Sequence, residues 1–299
     1  DCYFFIADIH SPTTHPTPAD LHENVKQVLA EHLAMGVDPE KCALFVQSDV
    51  PAISELYTYM NMNAYVGELE RSTSFKDKIR TQKNNVNAGL LTYPVLMAVD
   101  ILVHHAEMVP VGKDQQQHLE MTRTYANRFN HMFGVEYFKE PQAYSGTGEL
   151  VKVPGLTAQG KMSKSSGDAD TIMFDEAEKP LRKKIMRAVT DNGPTEPGME
   201  KSEGLQNLFD IMELVSESST IEHFEHLHQE ATIRYGDLKK QIADDVERFV
   251  SPIRERIQHY KNDNKALAKA AQIGAEKANE SAIKTLKEVR EIIGFRKFY

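Results

Sequence analysis

Two lysines three residues apart give the strongest chemical signal in this sequence. Lys161 and Lys164 lie in the stretch 160–167, which reads Gly-Lys-Met-Ser-Lys-Ser-Ser-Gly. The flanking glycines and the small hydroxyl residues predict a loop. An ammonium about 4 Å from a phosphate charge contributes roughly 1 kcal/mol in water and roughly 4 kcal/mol at an effective dielectric of about 20. We therefore expect this loop to bind phosphate in a partly desolvated site. A solvated basic turn is the alternative, and composition alone favours it.

A second signal is a single carboxylate, Asp100, in the otherwise apolar stretch 93–103. This stretch reads Tyr-Pro-Val-Leu-Met-Ala-Val-Asp-Ile-Leu-Val and predicts a buried helix. A buried carboxylate is costly unless hydrogen-bond donors reach it. A structural Arg or Lys would satisfy Asp100, and so would a donor on a ligand. The residues alone leave both interpretations open.

Further polar residues follow predicted strands, where ligands bind in open α/β sheets. His10 follows the apolar run 2–7, which predicts a strand buried on both faces. Gly112 and Asp114 come after a short strand and open a helix, an arrangement that suits a ribose and a phosphate. Neither signal is specific, because a lone histidine at a strand end is more often structural and capped βα turns are common. Lys78 falls in a charged helical turn, for which a solvated face is the better interpretation.

The composition is that of an ordinary globular protein, with 40% hydrophobic and 26% charged residues in 299. This length predicts two domains or one large one. The net charge of −9 argues against a simple nucleic-acid-binding module, since such a partner would need a local basic patch. No apolar run approaches the length of a membrane span, and no signal segment opens the sequence. Cys2 and Cys42 are too few for a disulfide framework, in keeping with a reducing cytoplasm.

The predicted elements form an α/β layer followed by a helical one. Thr17 is a predicted N-cap with Pro18 in the first turn, and Gly36 ends this helix. A strand over 43–46 then completes a βαβ unit with a right-handed crossover. The remaining predicted elements are a largely helical region to residue 105 with a break near 81–87, a Lys- and Arg-rich helix over 176–189, and continuous helical periodicity from residue 204 onwards.

The string Lys161-Met162-Ser163-Lys164-Ser165 resembles the KMSKS loop of class I aminoacyl-tRNA synthetases, which grips the pyrophosphate of ATP. With Asp100 and the Gly112 turn in the same chain order, the sequence resembles the tryptophanyl-tRNA synthetases from residue 2 to about residue 295. Strings that carry the likeness stand at 3–10, 67–71, 89–94, 97–100, 109–118 and 274–278.

The resemblance implies an α/β fold with a Rossmann-like, parallel-sheet, nucleotide-binding catalytic domain and a mostly α-helical C-terminal anticodon-binding domain. The catalytic domain is expected over residues 1–170, ending in the KMSKS loop. The helical domain that binds the tRNA anticodon is expected over 171–265. A C-terminal helix over 266–299 is expected to pack back towards the catalytic domain.

The resemblance also implies roles for individual residues. Asp100 accepts the N–H of the indole ring, and Tyr93 and His10 lie near the amino acid. The other implied contacts are Met97, Val109 and Val111 against the ring, Gly112, Asp114 and Gln115 on the ribose side of ATP, and Lys78, Lys161 and Lys164 with Met162, Ser163 and Ser165 at the phosphates.

The implied reaction has two steps. L-Tryptophan and ATP, with Mg²⁺, give tryptophanyl-adenylate and pyrophosphate, and the aminoacyl group then passes to the 3′ end of tRNA(Trp). An apolar slot with one buried acceptor discriminates strongly against a ring that lacks the donor, by roughly 10⁴ to 10⁵. The family is also a symmetric cytoplasmic homodimer, and we expect the interface over 50–69.

Three departures from the family pattern leave alternatives open. The HIGH-like Thr-Ile-Gly-Asn near the N-terminus is absent, and the sequence begins at what would be the second strand, with roughly 30 to 40 residues of one βα unit not represented. Ser74 stands where the family usually has Gln, and Lys113 replaces a usual Glu. The alternatives are a tyrosyl-tRNA synthetase, and a catalytically inactive synthetase-like protein that binds tRNA.

Overall fold

The structure of the protein, a computed structural model, describes residues 1–81, 84–112, 115–144, 152–157, 160–163 and 167–299. The chain divides into two compact units. The first unit comprises residues 1–149 and 263–299, and the second comprises residues 150–262. Within the described residues, no helix is long and apolar enough to cross a membrane.

The secondary structure follows the predicted order of an α/β part and a helical part. In chain order the elements are β1 (Tyr3–Ile6), a 3-10 turn (Ser11–Thr14), α1 (Pro18–Ala34), β2 (Ala43–Val46), a 3-10 turn (Gln47–Asp49), α2 (Pro51–Met62), α3 (Val66–Leu69), α4 (Thr73–Thr81), α5 (Ala88–Leu102), β3 (Met108–Pro110), α6 (Gln116–Phe133), β4 (Gln142–Tyr144), a 3-10 turn (Asp168–Asp170), α7 (Glu178–Met186), α8 (Glu203–Val215), α9 (Ser218–Gln229), α10 (Tyr235–Asn262) and α11 (Asn264–Ile293).

The predicted βαβ unit at the start of the chain is confirmed. β1 and β2 pair in parallel, from Tyr3 opposite Ala43 to Ile6 opposite Val46. The connecting helix α1 begins as predicted, because the Thr17 hydroxyl accepts a hydrogen bond from the Asp20 N–H at 3.1 Å. β3 and β4 form a second parallel pair. The described residues thus contain two separate two-stranded parallel sheets.

The expectation that the first strand is buried on both faces was wrong. β2 is buried at every position, whereas in β1 only Ile6 is buried and Phe4 is 41% exposed. The reason is that α11 packs over β2, and the burial of a strand depends on which elements cover its faces. An apolar run therefore marked the strand correctly but overstated its burial.

The C-terminal helix α11 packs within the first unit, against β2 and α2. It approaches β2 so closely at Gly274 that a Cβ there would overlap the carbonyl oxygen of Leu44. One turn on, the Lys277 ammonium donates to the carbonyls of Pro39 at 2.6 Å and Glu40 at 2.8 Å. Gly274 and Lys277 thus hold α11 against β2 and the segment that precedes it.

The second compact unit begins at residue 150, whereas the sequence analysis placed the end of the catalytic domain at residue 170. The segment before residue 170 belongs to this unit because Leu156 is buried with Leu181, Ile185 and Leu205 in its core. The Val189 N–H also donates to the Leu156 carbonyl at 2.9 Å. The core packs α7, α8 and α10 together, so the basic loop is carried by the helical unit.

Candidate functional site

Asp100 is buried near the C-terminal end of α5, and both of its carboxylate oxygens are hydrogen-bonded. It is 6% exposed in a helix that is otherwise almost entirely apolar. Oδ2 lies 3.0 Å from Nε2 of His10, and Oδ1 accepts from the side-chain amide of Gln47 at 2.6 Å. Burial raises the pKa of Asp100, and the hydrogen bonds and charge of His10, followed by the Gln47 bond, oppose that rise. The sequence analysis left open whether a structural Arg or Lys, or a donor on a ligand, satisfies Asp100. Neither of these two hydrogen bonds comes from an Arg or a Lys.

Gln47 is a member of this cluster that the sequence analysis did not single out. It is fully buried in the 3-10 turn after β2. Its amide oxygen accepts the Ile9 N–H at 3.1 Å, so the amide NH₂ faces Asp100. His10 follows Ile9 directly in the chain. Gln47 therefore joins the turn after β1, the turn after β2 and helix α5.

A chain of polar contacts continues from His10 to Gln115. The His10 ring meets the Tyr93 ring edge-on at 6.4 Å, and the Lys78 ammonium lies 4.0 Å from the Tyr93 ring centroid. The Tyr93 hydroxyl lies 2.7 Å from His118 Nε2, and His118 Nδ1 lies 2.9 Å from the Gln115 amide oxygen. An amide oxygen only accepts, so Nδ1 of His118 donates to Gln115. Burial lowers the pKa of Lys78, contrary to the fully solvated face expected from its charged neighbours.

The sequence-predicted residues of the first unit lie on α5, on and after β3, and in the turns that flank them. Tyr93, Met97 and Asp100 are three or four residues apart on α5 and so share one face of the helix. Val109 and Val111 are half-buried on and just after β3. They are followed by Gly112, whose carbonyl accepts the Gln115 N–H at 3.0 Å. Asp114, Lys113 and the side chain of Ser74 lie outside the described residues.

The basic loop lies in the second unit, and its first half is described. Lys161 is exposed, and Met162 and Ser163 are half-buried. The Met162 N–H donates to the Val153 carbonyl at 2.8 Å, while the Thr171 hydroxyl donates to the Ser163 carbonyl at 2.9 Å. These bonds fix the backbone on both sides of Met162 and leave the Lys161 side chain in solvent. Lys164 and Ser165 lie outside the described residues.

Asp170 is a buried residue that holds the base of this loop. Its Oδ1 accepts from the backbone N–H of Thr157 at 2.8 Å and from the Thr157 hydroxyl at 2.6 Å. Gly155 lies so close that a Cβ there would overlap both carboxylate oxygens of Asp170. The Asp170 Oδ2 atom is buried without a hydrogen-bond partner in the described part of the chain.

Lys184 fastens the chain that follows the loop. Its ammonium donates to Asp168 at 2.7 Å, to Glu176 at 2.8 Å and to the Thr171 carbonyl at 3.2 Å. Burial disfavours the charged lysine, but the two carboxylates outweigh burial and raise its pKa. This lysine, from the basic helix predicted over 176–189, therefore has a structural role.

The described residues gather no group of three or more His, Cys, Asp or Glu side chains that would hold a metal ion.

The chain is similar to known aminoacyl-tRNA synthetases over most of its length. A family model described as "tRNA synthetases class I (W and Y)" matches residues 1–251. A tryptophan–tRNA ligase from Porphyromonas gingivalis is 55% identical over 296 residues, which cover 99% of this chain and 90% of that protein. The tryptophan–tRNA ligase of Clostridium tetani is 38% identical over 297 residues, covering 99% of this chain and 86% of that protein.

The fold has close counterparts among solved structures. The structure of tryptophanyl-tRNA synthetase from Campylobacter jejuni, complexed with ADP and tryptophan, has a TM-score of 0.87 and 33% sequence identity. It covers 97% of this chain, which in turn spans 89% of that protein. These relatives are all tryptophan enzymes, and they favour neither the tyrosyl enzyme nor the inactive tRNA-binding protein. The chain therefore belongs to the tryptophanyl-tRNA synthetases of class I.

Proposed function

We propose that this chain is a tryptophan–tRNA ligase, which activates L-tryptophan with ATP and transfers it to tRNA(Trp). The observation that carries the proposal is Asp100, a buried carboxylate in an apolar helix whose two oxygens accept hydrogen bonds from neutral or weakly basic side chains. A carboxylate oxygen has two lone pairs, so each oxygen retains capacity to accept the indole N–H. Tyrosine has a single ring, and it carries no donor at the position of the indole N–H.

In the proposed binding mode, residues of the first unit hold the amino acid. Asp100 accepts the indole N–H, while Met97, Val109 and Val111 pack against the ring. Tyr93 and His10, whose rings contact each other, lie beside the amino acid. A ring without the N–H would leave Asp100 with an unused acceptor in a buried place, which is how a site of this kind discriminates.

The proposed chemistry is carried out by positioning and charge stabilisation. The tryptophan carboxylate attacks the α-phosphorus of ATP, and the bond to the departing pyrophosphate breaks. The 3′-terminal ribose hydroxyl of the tRNA then attacks the carbonyl carbon, and AMP leaves. Gly112, Asp114 and Gln115 hold the ribose of ATP. No protein nucleophile is required for either step.

Binding of the ATP phosphates is assigned to three lysines. Lys161 and Lys164, with Met162, Ser163 and Ser165 of the same string, contact the pyrophosphate portion, and Lys78 contributes a third positive charge. The exposed ammonium of Lys161 on a backbone fixed by Met162 and Ser163 supports this assignment. When bound with ATP, Mg²⁺ would neutralise part of the phosphate charge that these lysines meet.

The remaining assignments concern domains and partners. The proposed functional division is a catalytic part over 1–170, which includes the basic loop carried by the second compact unit, anticodon-binding helices over 171–265 and a C-terminal helix over 266–299. The protein is assigned as a homodimer with its interface over 50–69. Met62, Tyr65 and Val66 of this stretch are each more than half exposed, and an exposed apolar group of this kind marks an interface. The protein is assigned to the cytoplasm, where tRNA and ATP are available and its two cysteines remain free.

Tryptophan-dependent exchange of labelled pyrophosphate into ATP tests the proposal, with tyrosine as the control amino acid. We expect exchange with tryptophan and none above background with tyrosine. The Asp100→Asn variant is expected to lose most of its preference for tryptophan over an analogue in which sulfur replaces the indole N–H. Exchange with tyrosine, or an unchanged preference in Asp100→Asn, would overturn the assignment.

A further inference from the structure

We infer that Gln47 is a positioning residue for amino-acid specificity, which holds the Asp100 carboxylate as an oriented acceptor for the ring N–H of the substrate. The inference rests on the proposed function for the identity of the substrate. It adds a residue from the turn after β2 that no sequence motif assigns to the site.

The orientation of the Gln47 amide follows from its partners. The Ile9 backbone N–H is a donor, so the Gln47 oxygen must face it, and the NH₂ group must face Asp100 Oδ1. An inverted amide would place an oxygen against a carboxylate and an NH₂ group against an N–H. The Gln47 side chain is also fully buried, so water does not take the place of either partner. Asp100 Oδ1 is therefore fixed as an acceptor.

The turn that carries Gln47 is itself held from two sides. The Ser48 N–H donates to the Asp8 carboxylate at 2.9 Å, and the Asn279 amide of α11 donates to the Asp49 carbonyl at 2.8 Å. Because neighbours on both sides of Gln47 are fixed, its amide has little freedom to follow a displaced carboxylate. Its position therefore determines where Oδ1 of Asp100 lies.

Gln47 and His10 act on opposite oxygens of the same carboxylate. His10 is the titratable group in contact with Asp100, and Gln47 is a neutral donor. In the adjoining polar chain, Tyr93 of α5 contacts both Lys78 of α4 and His118 of α6. Burial disfavours the ionised form of Asp100, and hydrogen bonds to the anion favour it. Loss of the Gln47 donor would make Asp100 easier to protonate, and a protonated oxygen is a poorer acceptor.

Two substitutions separate this role from simple packing. Gln47→Met keeps the length of the side chain but removes both hydrogen bonds. Gln47→Glu keeps an acceptor for the Ile9 N–H and so preserves the link to β1, but it places a second carboxyl group against Asp100. Gln272→Met is the matched control, because Gln272 donates to Glu276 at 2.8 Å on the exposed face of α11.

The measurement is the Kd of tryptophan and of its sulfur analogue, by calorimetry on the full chain between pH 5.5 and pH 8.5. For Gln47→Met we expect the preference for tryptophan to fall by roughly 10-fold at pH 7.5, the effect of one hydrogen bond to a charged group. As the pH is lowered, the tryptophan affinity of Gln47→Met should begin to decline at a higher pH than that of the unsubstituted chain. The control should match the unsubstituted chain.

Gln47→Glu is expected to show the opposite dependence on pH. Two adjacent carboxylates cannot both remain ionised at low cost, so one proton is retained between them at the lower pH. A protonated Glu at position 47 donates to Asp100 as glutamine does. Tryptophan affinity should therefore be weakest at pH 8.5 and improve towards pH 6.

The outcomes are distinguishable from failure of the proposed function. If the unsubstituted chain binds tryptophan no better than its sulfur analogue, the proposed role of Asp100 fails, whatever the Gln47 variants do. If it prefers tryptophan and both folded Gln47 variants keep that preference and its pH profile within twofold, the inference about Gln47 is wrong. Restoration of affinity at low pH in Gln47→Glu alone would support it even if Gln47→Met failed to fold.

Discussion

Asp100 and Lys161 are the two residues on which the proposed reaction depends most, and their surroundings are opposite. Asp100 is 6% exposed with both oxygens bonded, whereas Lys161 is exposed on a backbone that is fixed beside it. The difference follows from the task of each group. An acceptor that selects a ring must already be desolvated and oriented, because its energetic effect depends on leaving a wrong ligand unpaired. A cation that meets phosphate gains attraction from desolvation when the ligand arrives.

The two units also differ at the glycines that allow close packing. Gly274 of α11 meets the backbone of β2, whereas Gly155 at the base of the basic loop meets the side chain of Asp170. Backbone in a parallel pair cannot move without breaking its hydrogen bonds, while a side chain can rotate away. The first unit is therefore the less tolerant of the two.

The largest effect is expected from Gly274→Ala. The new methyl group would force α11 and β2 apart, and we expect a loss of about 3 kcal/mol or more in the free energy of unfolding. Urea denaturation monitored by circular dichroism measures it. Gly236→Ala, where the new methyl group meets nothing within 4 Å, is the control and should cause no loss. Equal stability of the two variants would show that α11 is not seated on β2 at Gly274.

Each unit also contains buried polar atoms without a hydrogen-bond partner among the described residues, and in the first unit one of these atoms is Nε2 of His104. The ring is stacked on Tyr3 with centroids 4.2 Å apart, and burial, followed by the charge of His105, lowers its pKa from 6.5 to about 4. Between these values the unfolded chain binds more protons than the folded one, so stability present above pH 6.5 is lost as the pH falls to 4.

We therefore expect His104 to account for about 3 kcal/mol of the stability lost between pH 7 and pH 4. His104→Phe keeps an aromatic ring against Tyr3 and cannot titrate, so its unfolding free energy should fall less over this range. Denaturation curves at half-unit pH steps compare the two proteins. Parallel curves for the variant and the unsubstituted chain would contradict this account of the buried histidine.

A smaller effect is expected at the base of the loop, from Gly155→Ala. The added methyl group displaces Asp170 from Thr157, and we expect a loss of about 2 kcal/mol in stability. Combining it with Asp170→Ala should recover part of that loss, because the carboxylate that the methyl group meets is gone. Additive effects in this double-mutant cycle would mean that the two residues do not contact each other.

The correct predictions from the sequence rest on local patterns and on one family motif. The lysine string identified the family, and the single carboxylate at Asp100 marked a polar group in a buried helix. The cap at Thr17 and the strand 43–46 were also predicted correctly, since a capping hydroxyl and an apolar run act within a few residues. The end of α11 at Gly294, in the left-handed conformation, follows from the same kind of local rule.

What the sequence did not reveal depends on contacts between distant residues. Gln47 is 53 positions from Asp100, and only the tertiary fold brings the turn after β2 next to α5. The unit boundary near residue 150 depends on the burial of Leu156 among helices that come later in the chain. Phe4 is exposed although it stands in an apolar run, because burial is decided by which elements cover the strand.

The most direct test of the contrast between Asp100 and Lys161 is the kinetics of pyrophosphate exchange in Asp100→Asn and Lys161→Met, measured side by side. We expect Asp100→Asn to act on KM for tryptophan and on the preference over the sulfur analogue. Lys161→Met should lower kcat by roughly 10²-fold at nearly unchanged KM for tryptophan, as loss of a charge that stabilises the transition state does. Lys179→Met, an exposed lysine on α7, is the control. If Lys161→Met raised KM for tryptophan with kcat intact, or if Asp100→Asn lowered kcat alone, the assignment of selection to one residue and catalysis to the other would be wrong.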